Sequence, residues 1–160
     1  MIPLGLLAVI ANCGSHSEQI FRKAWGKDFE KKKNEIIEAR EKWKQNNIRS
    51  YSFVVAKYVG GQSSPWNHSP VLIKVADCRD LSVEMVDKID ISLLAGTGGF
   101  EEFDTIEKLF DYMLRHLEMG EIVEGDYDEN LGYPNSVRLS TSFEIHGKRS
   151  IAISKFARAN

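Results

Sequence analysis

Three polar side chains alternate along one short stretch of the sequence, at Asp126, Asp128 and Asn130. Side-chain oxygens at alternate positions are typical of the beginning of a calcium-binding loop. The rest of such a loop does not follow, because Leu131 stands where the loop needs glycine and Val137 where it needs a bidentate glutamate. We therefore favour a solvated turn whose acids accept backbone hydrogen bonds, and keep an irregular cation site as the alternative.

The same turn contains three candidate binding residues, Tyr127, Asp128 and Tyr133. In the structural interpretation, Gly132 supplies a positive φ and the two tyrosines pack over the turn. A second candidate contact lies in the glycine- and serine-rich loop 60–70, which carries Trp66 and His68. An aromatic side chain there offers a rigid surface to a partner protein or a glycan, or else folds back over the core.

Cys78 would be a nucleophile only if a histidine lay beside it. The four histidines are scattered along the sequence, and a lone cysteine in a hairpin is more commonly a small, half-buried apolar residue. The sequence contains no recognisable zinc, phosphate-loop or serine-hydrolase motif. It predicts no catalytic residue and no cofactor.

The composition excludes several classes of protein. A chain of 160 residues with 42% hydrophobic residues is long enough and apolar enough for one folded domain. Its formal net charge of −2 gives no cationic field, so nucleic acid is not an expected partner. Its two cysteines are too few for a disulfide scaffold.

The first residues predict export. Residues 1–12 are apolar and too short to span a bilayer, but they have the length of a signal-peptide core. The order Ile10-Ala11-Asn12-Cys13 resembles a lipobox, although Asn12 is larger than the usual residue. We expect lipidation of Cys13, which would tether the chain to a membrane outside the cytoplasm. The alternative is an ordinary signal peptide that releases a secreted protein, in which Cys13 and Cys78 could form a disulfide.

Hydrophobic periodicity predicts an α+β domain over residues 25–160, preceded by a tether at residues 13–24. Its antiparallel sheet should pack one face against both helices. The order of one helix and three strands occurs twice, which makes a tandem repeat of an αβββ unit an open alternative. Asp104 and Glu107 have the spacing of a capping box at the start of the second helix, which should end at Gly120. The predicted elements are a helix over 25–47, strands near 51–59, 71–75 and 81–85 with a turn at 77–80, a helix over 104–120, and strands near 122–127, 136–145 and 150–156.

The chain resembles a family of small bacterial lipoproteins and secreted proteins known only as a domain of unknown function. The resemblance rests on Trp43, the Tyr51-Ser52-Phe53 strand, the Leu109-Phe110 pair and the Tyr127-Asp128 to Leu131-Gly132-Tyr133-Pro134 stretch. Members often carry a cysteine pair just after the strand, where this chain has residues 57–61 without cysteine. The resemblance implies no activity.

The leading hypothesis is therefore a non-enzymatic, membrane-tethered extracytoplasmic domain that binds an envelope protein or a glycan through its open sheet face or its loops. One alternative is a small secreted inhibitor of a hydrolase, which predicts a rigid protruding loop with an aromatic or acidic anchor. The other is a hydrolase that uses Cys78, which predicts a histidine within hydrogen-bond reach of the sulfur.

Overall fold

The computed structural model describes residues 16–59, 70–85, 100, 102–141 and 148–159. These residues form two helices and six strands, in the order helix, three strands, helix, three strands. The elements are α1 (His16–Gln45), β1 (Tyr51–Val59), β2 (Val71–Ala76), β3 (Arg79–Met85), α2 (Ile106–Glu118), β4 (Ile122–Tyr127), β5 (Pro134–Ser140) and β6 (Arg149–Arg158).

The strands form one antiparallel sheet in the order β3-β2-β1-β6-β5-β4. Alternate residues of the strands face the two helices, and together they bury a single apolar cluster, as the period-two pattern predicts. The predicted α+β class, with both helices on one face of the sheet, is confirmed. Among the described residues, no helix is long and apolar enough to cross a membrane.

The two three-stranded halves of the sheet, β1–β3 and β4–β6, have opposite handedness. Seen from the helix-covered face, β2 lies to one side of the direction of β1, whereas β5 lies to the opposite side of the direction of β4. Superposing the two three-stranded halves would therefore place their helices on opposite faces. The element order repeats, but a single αβββ unit does not describe both halves.

The first helix is longer than predicted. It begins at His16 rather than at Trp25, so most of the segment expected as a tether is helical. It ends near the expected residues, with Asn47 in the left-handed region at φ 48°.

The hairpin of β2 and β3 has a shorter turn than the predicted 77–80. Its central residues are Asp77 and Cys78, at φ 51° and 64°, and β3 begins directly after them at Arg79. Positive φ at both positions is the geometry of a two-residue turn that matches the strand twist.

The predicted capping box at the second helix is wrong. The N-cap is Thr105, whose hydroxyl accepts a hydrogen bond from the Lys108 backbone N–H at 3.2 Å. Asp104 lies one residue earlier, where its buried carboxylate is 2.7 Å from the Lys108 ammonium. Gly120 follows the helix at φ 86°, as predicted.

Glu107 takes no part in the cap and instead connects α2 to α1 and β1. Its carboxylate accepts hydrogen bonds from the Trp43 indole N–H of α1 and from the Tyr51 hydroxyl of β1, each at 2.9 Å. The Tyr51 hydroxyl in turn accepts from the backbone N–H of Ile106, also at 2.9 Å, which satisfies a donor at the open start of α2. Trp43 and Tyr51 are each 1% exposed, so the indole N–H and the tyrosine hydroxyl have little access to water as an alternative hydrogen-bond partner.

We expect Tyr51→Phe to lower the free energy of unfolding by about 2–3 kcal/mol at neutral pH, because it removes one donor to Glu107 and leaves the Ile106 N–H unpaired. Urea unfolding measures the loss. Tyr58→Phe, at a tyrosine that is 47% exposed and lies outside this network, is the comparison and should cost less. Equal losses in the two variants would contradict the role given to the network.

The difference in stability between the native protein and Tyr51→Phe should depend on pH. Burial, followed by the charge of Glu107, raises the pKa of Tyr51 above its ordinary value of 10.0. Because the folded state holds the proton more tightly, the contribution of Tyr51 to stability is complete below pH 10 and is lost as the pH rises further. The difference in stability between the native protein and Tyr51→Phe should therefore shrink above that pH.

Candidate binding site

The turn between β4 and β5 is closed by its own hydrogen bonds. The Asp128 carboxylate oxygen Oδ1 accepts from the backbone N–H groups of Asn130 and Leu131, at 2.9 and 2.7 Å. The Gly132 N–H donates to the Asp128 carbonyl at 2.9 Å, and the Asp128 N–H donates to the Tyr133 carbonyl at 2.8 Å. Asp128 therefore acts as the aspartate of an Asx-type turn, as the structural interpretation predicts.

This turn lies directly on α1. Gly132 has φ +82°, and a Cβ added there would be 2.6 Å from the Ala39 carbonyl oxygen. The Lys42 ammonium donates to the Glu129 carbonyl, and the Asn46 amide lies 3.5 Å from the Leu131 carbonyl. The absence of a side chain at Gly132 is what allows the two backbones to approach so closely.

A cleft of about 370 Å³ lies between α1 and this turn. Four of its lining residues carry carboxylates and one carries an ammonium group, so the cleft is acidic. Its lining residues are Glu35, Glu38, Ala39, Lys42, Gly125, Tyr127, Asp128, Glu129 and Gly132.

Tyr127 forms an aromatic wall of the cleft. Its ring stacks on Phe110 at a centroid distance of 6.4 Å, and it lies over Gly125, where a Cβ would come within 2.5 Å of the Tyr127 hydroxyl oxygen. Burial, followed by the nearby charge of Glu35, raises the pKa of Tyr127. The structure gives the hydroxyl no hydrogen-bond partner among the residues it describes, which leaves this group available in the cleft.

The predicted binding residues fall into three groups. Tyr127 and Asp128 line the cleft, whereas Tyr133 stacks on Phe156 at 4.5 Å on the side of the core. Trp66 and His68 lie outside the described residues, as does Cys13. The cleft brings in two helix residues that the sequence reasoning missed, Glu35 and Glu38; with Lys42, they follow spacings of three and four, the signal for one helix face.

The three predicted cation ligands lie on β4 and in the turn that follows it. Asp126 is exposed on β4, the Asp128 oxygen Oδ1 already accepts two backbone hydrogen bonds, and Asn130 contributes its backbone N–H to that turn. Within the part of the chain that the structure describes, no group of three His, Cys, Asp or Glu side chains is placed to hold a metal ion.

Cys78 is a free, exposed thiol at the hairpin turn, where its backbone N–H donates to the Arg49 carbonyl at 2.8 Å. The histidine whose side chain is described, His116, is buried at the end of α2 and lies 3.0 Å from the Glu121 carboxylate. The second oxygen of Glu121 accepts from Arg149, which ties α2 to the start of β6. The expected semi-buried Cys78 is therefore wrong, because the turn points it to solvent.

We expect Gly132→Ala to lower the free energy of unfolding by about 2 kcal/mol or more, because alanine disfavours a positive φ and its methyl group would strike the Ala39 carbonyl. Thermal or urea unfolding measures the loss. Gly120→Ala, also at a positive φ, is the comparison and should cost less. If the two substitutions cost the same, the close approach to α1 adds nothing to stability.

The chain matches no curated protein and no solved structure. A family model matches residues 35–158, more than three quarters of the chain, and this span includes the whole sheet, α2, the cleft and the greater part of the contacts of α1 with the core. The chain therefore belongs to DUF6174, a family of unknown function.

Proposed function

We propose that this chain is a non-enzymatic, lipid-anchored extracytoplasmic module that works by binding, with the cleft between α1 and the β4–β5 turn as its contact site. The anchor is supported by the apolar residues 1–12 and by the order Ile10-Ala11-Asn12-Cys13. The family gives no activity to set against this proposal.

The observation that carries the binding proposal is the cleft itself. It combines a concave volume of about 370 Å³ with an aromatic wall and an available hydroxyl on Tyr127. Concave sites that combine apolar walls with a few polar groups are where proteins most often bind small groups. Two of its lining residues are glycines that allow close packing, since a Cβ at Gly125 or Gly132 would strike a neighbouring side chain or the α1 backbone.

The charge of the cleft selects the ligand class. Glu35, Glu38, Asp128 and Glu129 outnumber Lys42, whose ammonium is already bound to a backbone carbonyl. A cationic group, such as the alkylammonium of a lysine side chain on a partner protein, would be attracted by the carboxylates and could donate to the Tyr127 hydroxyl. Because Glu38 and Glu129 are exposed, each of these two charges should contribute modestly to affinity.

The position of the thiol supports a non-enzymatic role. Cys78 is at the hairpin turn that joins β2 and β3, at the far edge of the sheet from β4 and the cleft. His116, the histidine among the described side chains, is paired with Glu121. A cysteine nucleophile needs an adjacent base, and these two residues belong to different elements with different partners.

The test is an NMR titration of the protein with trilysine, with triglutamate as the probe of opposite charge. We expect trilysine, and not triglutamate, to shift the backbone amide signals of Gly125 and Gly132. Glu38→Gln with Glu129→Gln should weaken trilysine binding about tenfold, at roughly 0.7 kcal/mol for each carboxylate.

The matched control is Glu41→Gln with Glu118→Gln, which removes two charges from exposed sites outside the cleft. It should leave trilysine affinity within about twofold of the native protein. Loss of affinity equal to that of the cleft variant, or no response of the cleft amides to trilysine, would contradict the proposed site.

A further inference from the structure

The first helix extends well ahead of the family region. It begins at His16, whereas the family match begins at residue 35. The described packing of α1 against the core includes Phe29, Ile36, Ala39 and Trp43. Residues 16–27, here called the anchor segment, are the part of α1 closest to Cys13.

The apolar spacing of α1 continues into the anchor segment. Positions 21 and 25, which are Phe and Trp, precede Phe29 by steps of four residues and so fall on the same side of the helix as the core-facing Ile36 and Trp43. Apolar positions with this spacing form one stripe along a helix, and tryptophan is enriched at the boundary between a membrane and water.

The charge of the anchor segment is opposite to that of the chain. It contains Arg22, Lys23 and Lys27 against one acid, Glu18, in a protein whose formal net charge is −2. Basic residues next to a membrane anchor are attracted by anionic phospholipid headgroups, at about 1 kcal/mol for each residue near the surface. A helix with an aromatic stripe and basic flanks has the composition of one that lies in a membrane interface.

We propose that the anchor segment lies along an anionic phospholipid surface, with positions 21 and 25 at the boundary of the acyl chains and the basic residues at the headgroups. The inference rests on the proposed lipid anchor: two residues separate Cys13 from His16, and the three extended residue-to-residue steps between them span only about 11 Å. A lipidated Cys13 would therefore hold the start of α1 at the surface.

The proposal also predicts the orientation of the domain relative to the membrane surface. Because α1 is one continuous helix from the anchor segment to Trp43, binding of its first turns to the surface fixes the direction of the remaining turns. The domain would thus have a defined orientation at the membrane.

The experiment uses the full protein purified from membranes and reconstituted into phosphatidylcholine vesicles with or without phosphatidylglycerol, made with lipids brominated on their acyl chains. Quenching of tryptophan fluorescence reports proximity to those chains. We expect quenching in the anionic vesicles that is at least halved by Trp25→Phe, while the fully buried Trp43 contributes little.

A charge variant tests the headgroup contact. The triple substitution Arg22→Gln, Lys23→Gln and Lys27→Gln should at least halve the quenching in anionic vesicles. The control removes the same charge from exposed sites near the end of the chain, through Lys148→Gln, Lys155→Gln and Arg158→Gln, and should leave the quenching unchanged.

Three results would overturn the proposal: equal quenching of the native protein and Trp25→Phe, retention of quenching by the triple variant, or self-association without vesicles that Trp25→Phe abolishes, which would assign the stripe to a second copy. Failure of the lipid anchor is distinguishable, since the intact mass would then show an unmodified chain. That chain, added to preformed vesicles, should still float with anionic vesicles and not with neutral ones if the anchor segment binds as proposed.

Discussion

The carboxylate of Glu107 holds the helical layer to the sheet. It is the shared acceptor for the indole of Trp43 and the hydroxyl of Tyr51, and it sits at the start of α2 beside the Ile106 N–H that Tyr51 satisfies. One acidic side chain thus fixes α1, β1 and α2 relative to one another. Apolar packing alone would bury the same surfaces without this directional constraint, because burial has no preferred geometry whereas hydrogen bonds do.

The cleft depends on that constraint. Trp43 contacts Tyr51, Tyr133 and Phe156 edge to face. Because Tyr133 directly precedes β5, the position of α1 helps to set the position of the turn before that strand. The turn then meets α1 at Gly132, and the acids of α1 face Tyr127 across the space that remains. The stretch from Tyr127 to Pro134 thus docks the β4–β5 turn onto α1, and the proposed binding site lies between that turn and the helix.

The sequence predicted the fold where the signal was local. Alternation placed β1 and β2, and helical spacing of apolar residues placed α2, because each pattern is set by the period of one element. Boundaries were less accurate. Asp104 has the right chemistry for an N-cap, but Thr105 takes the position, and neighbouring residues of similar chemistry cannot be ranked without their surroundings.

The candidate site could be predicted only in part. Tyr127 and Asp128 were found because their stretch is distinctive, whereas Glu35 and Glu38 were missed because carboxylates on a helix are ordinarily a solvated face. Only the docking of the turn, a contact between residues some ninety positions apart in the chain, turns those acids into the wall of a cleft. Glu107 shows the same limit, since its partners lie on α1 and β1.

The central claim is that a lipid on Cys13 holds this module at a membrane, and intact mass spectrometry of the protein purified from the membrane fraction of its host tests it most directly. The account predicts a chain that begins at Cys13 and carries a diacylglyceryl or triacyl adduct, with adduct and membrane retention both lost in Cys13→Ala. An unmodified chain in the soluble exported fraction would contradict it.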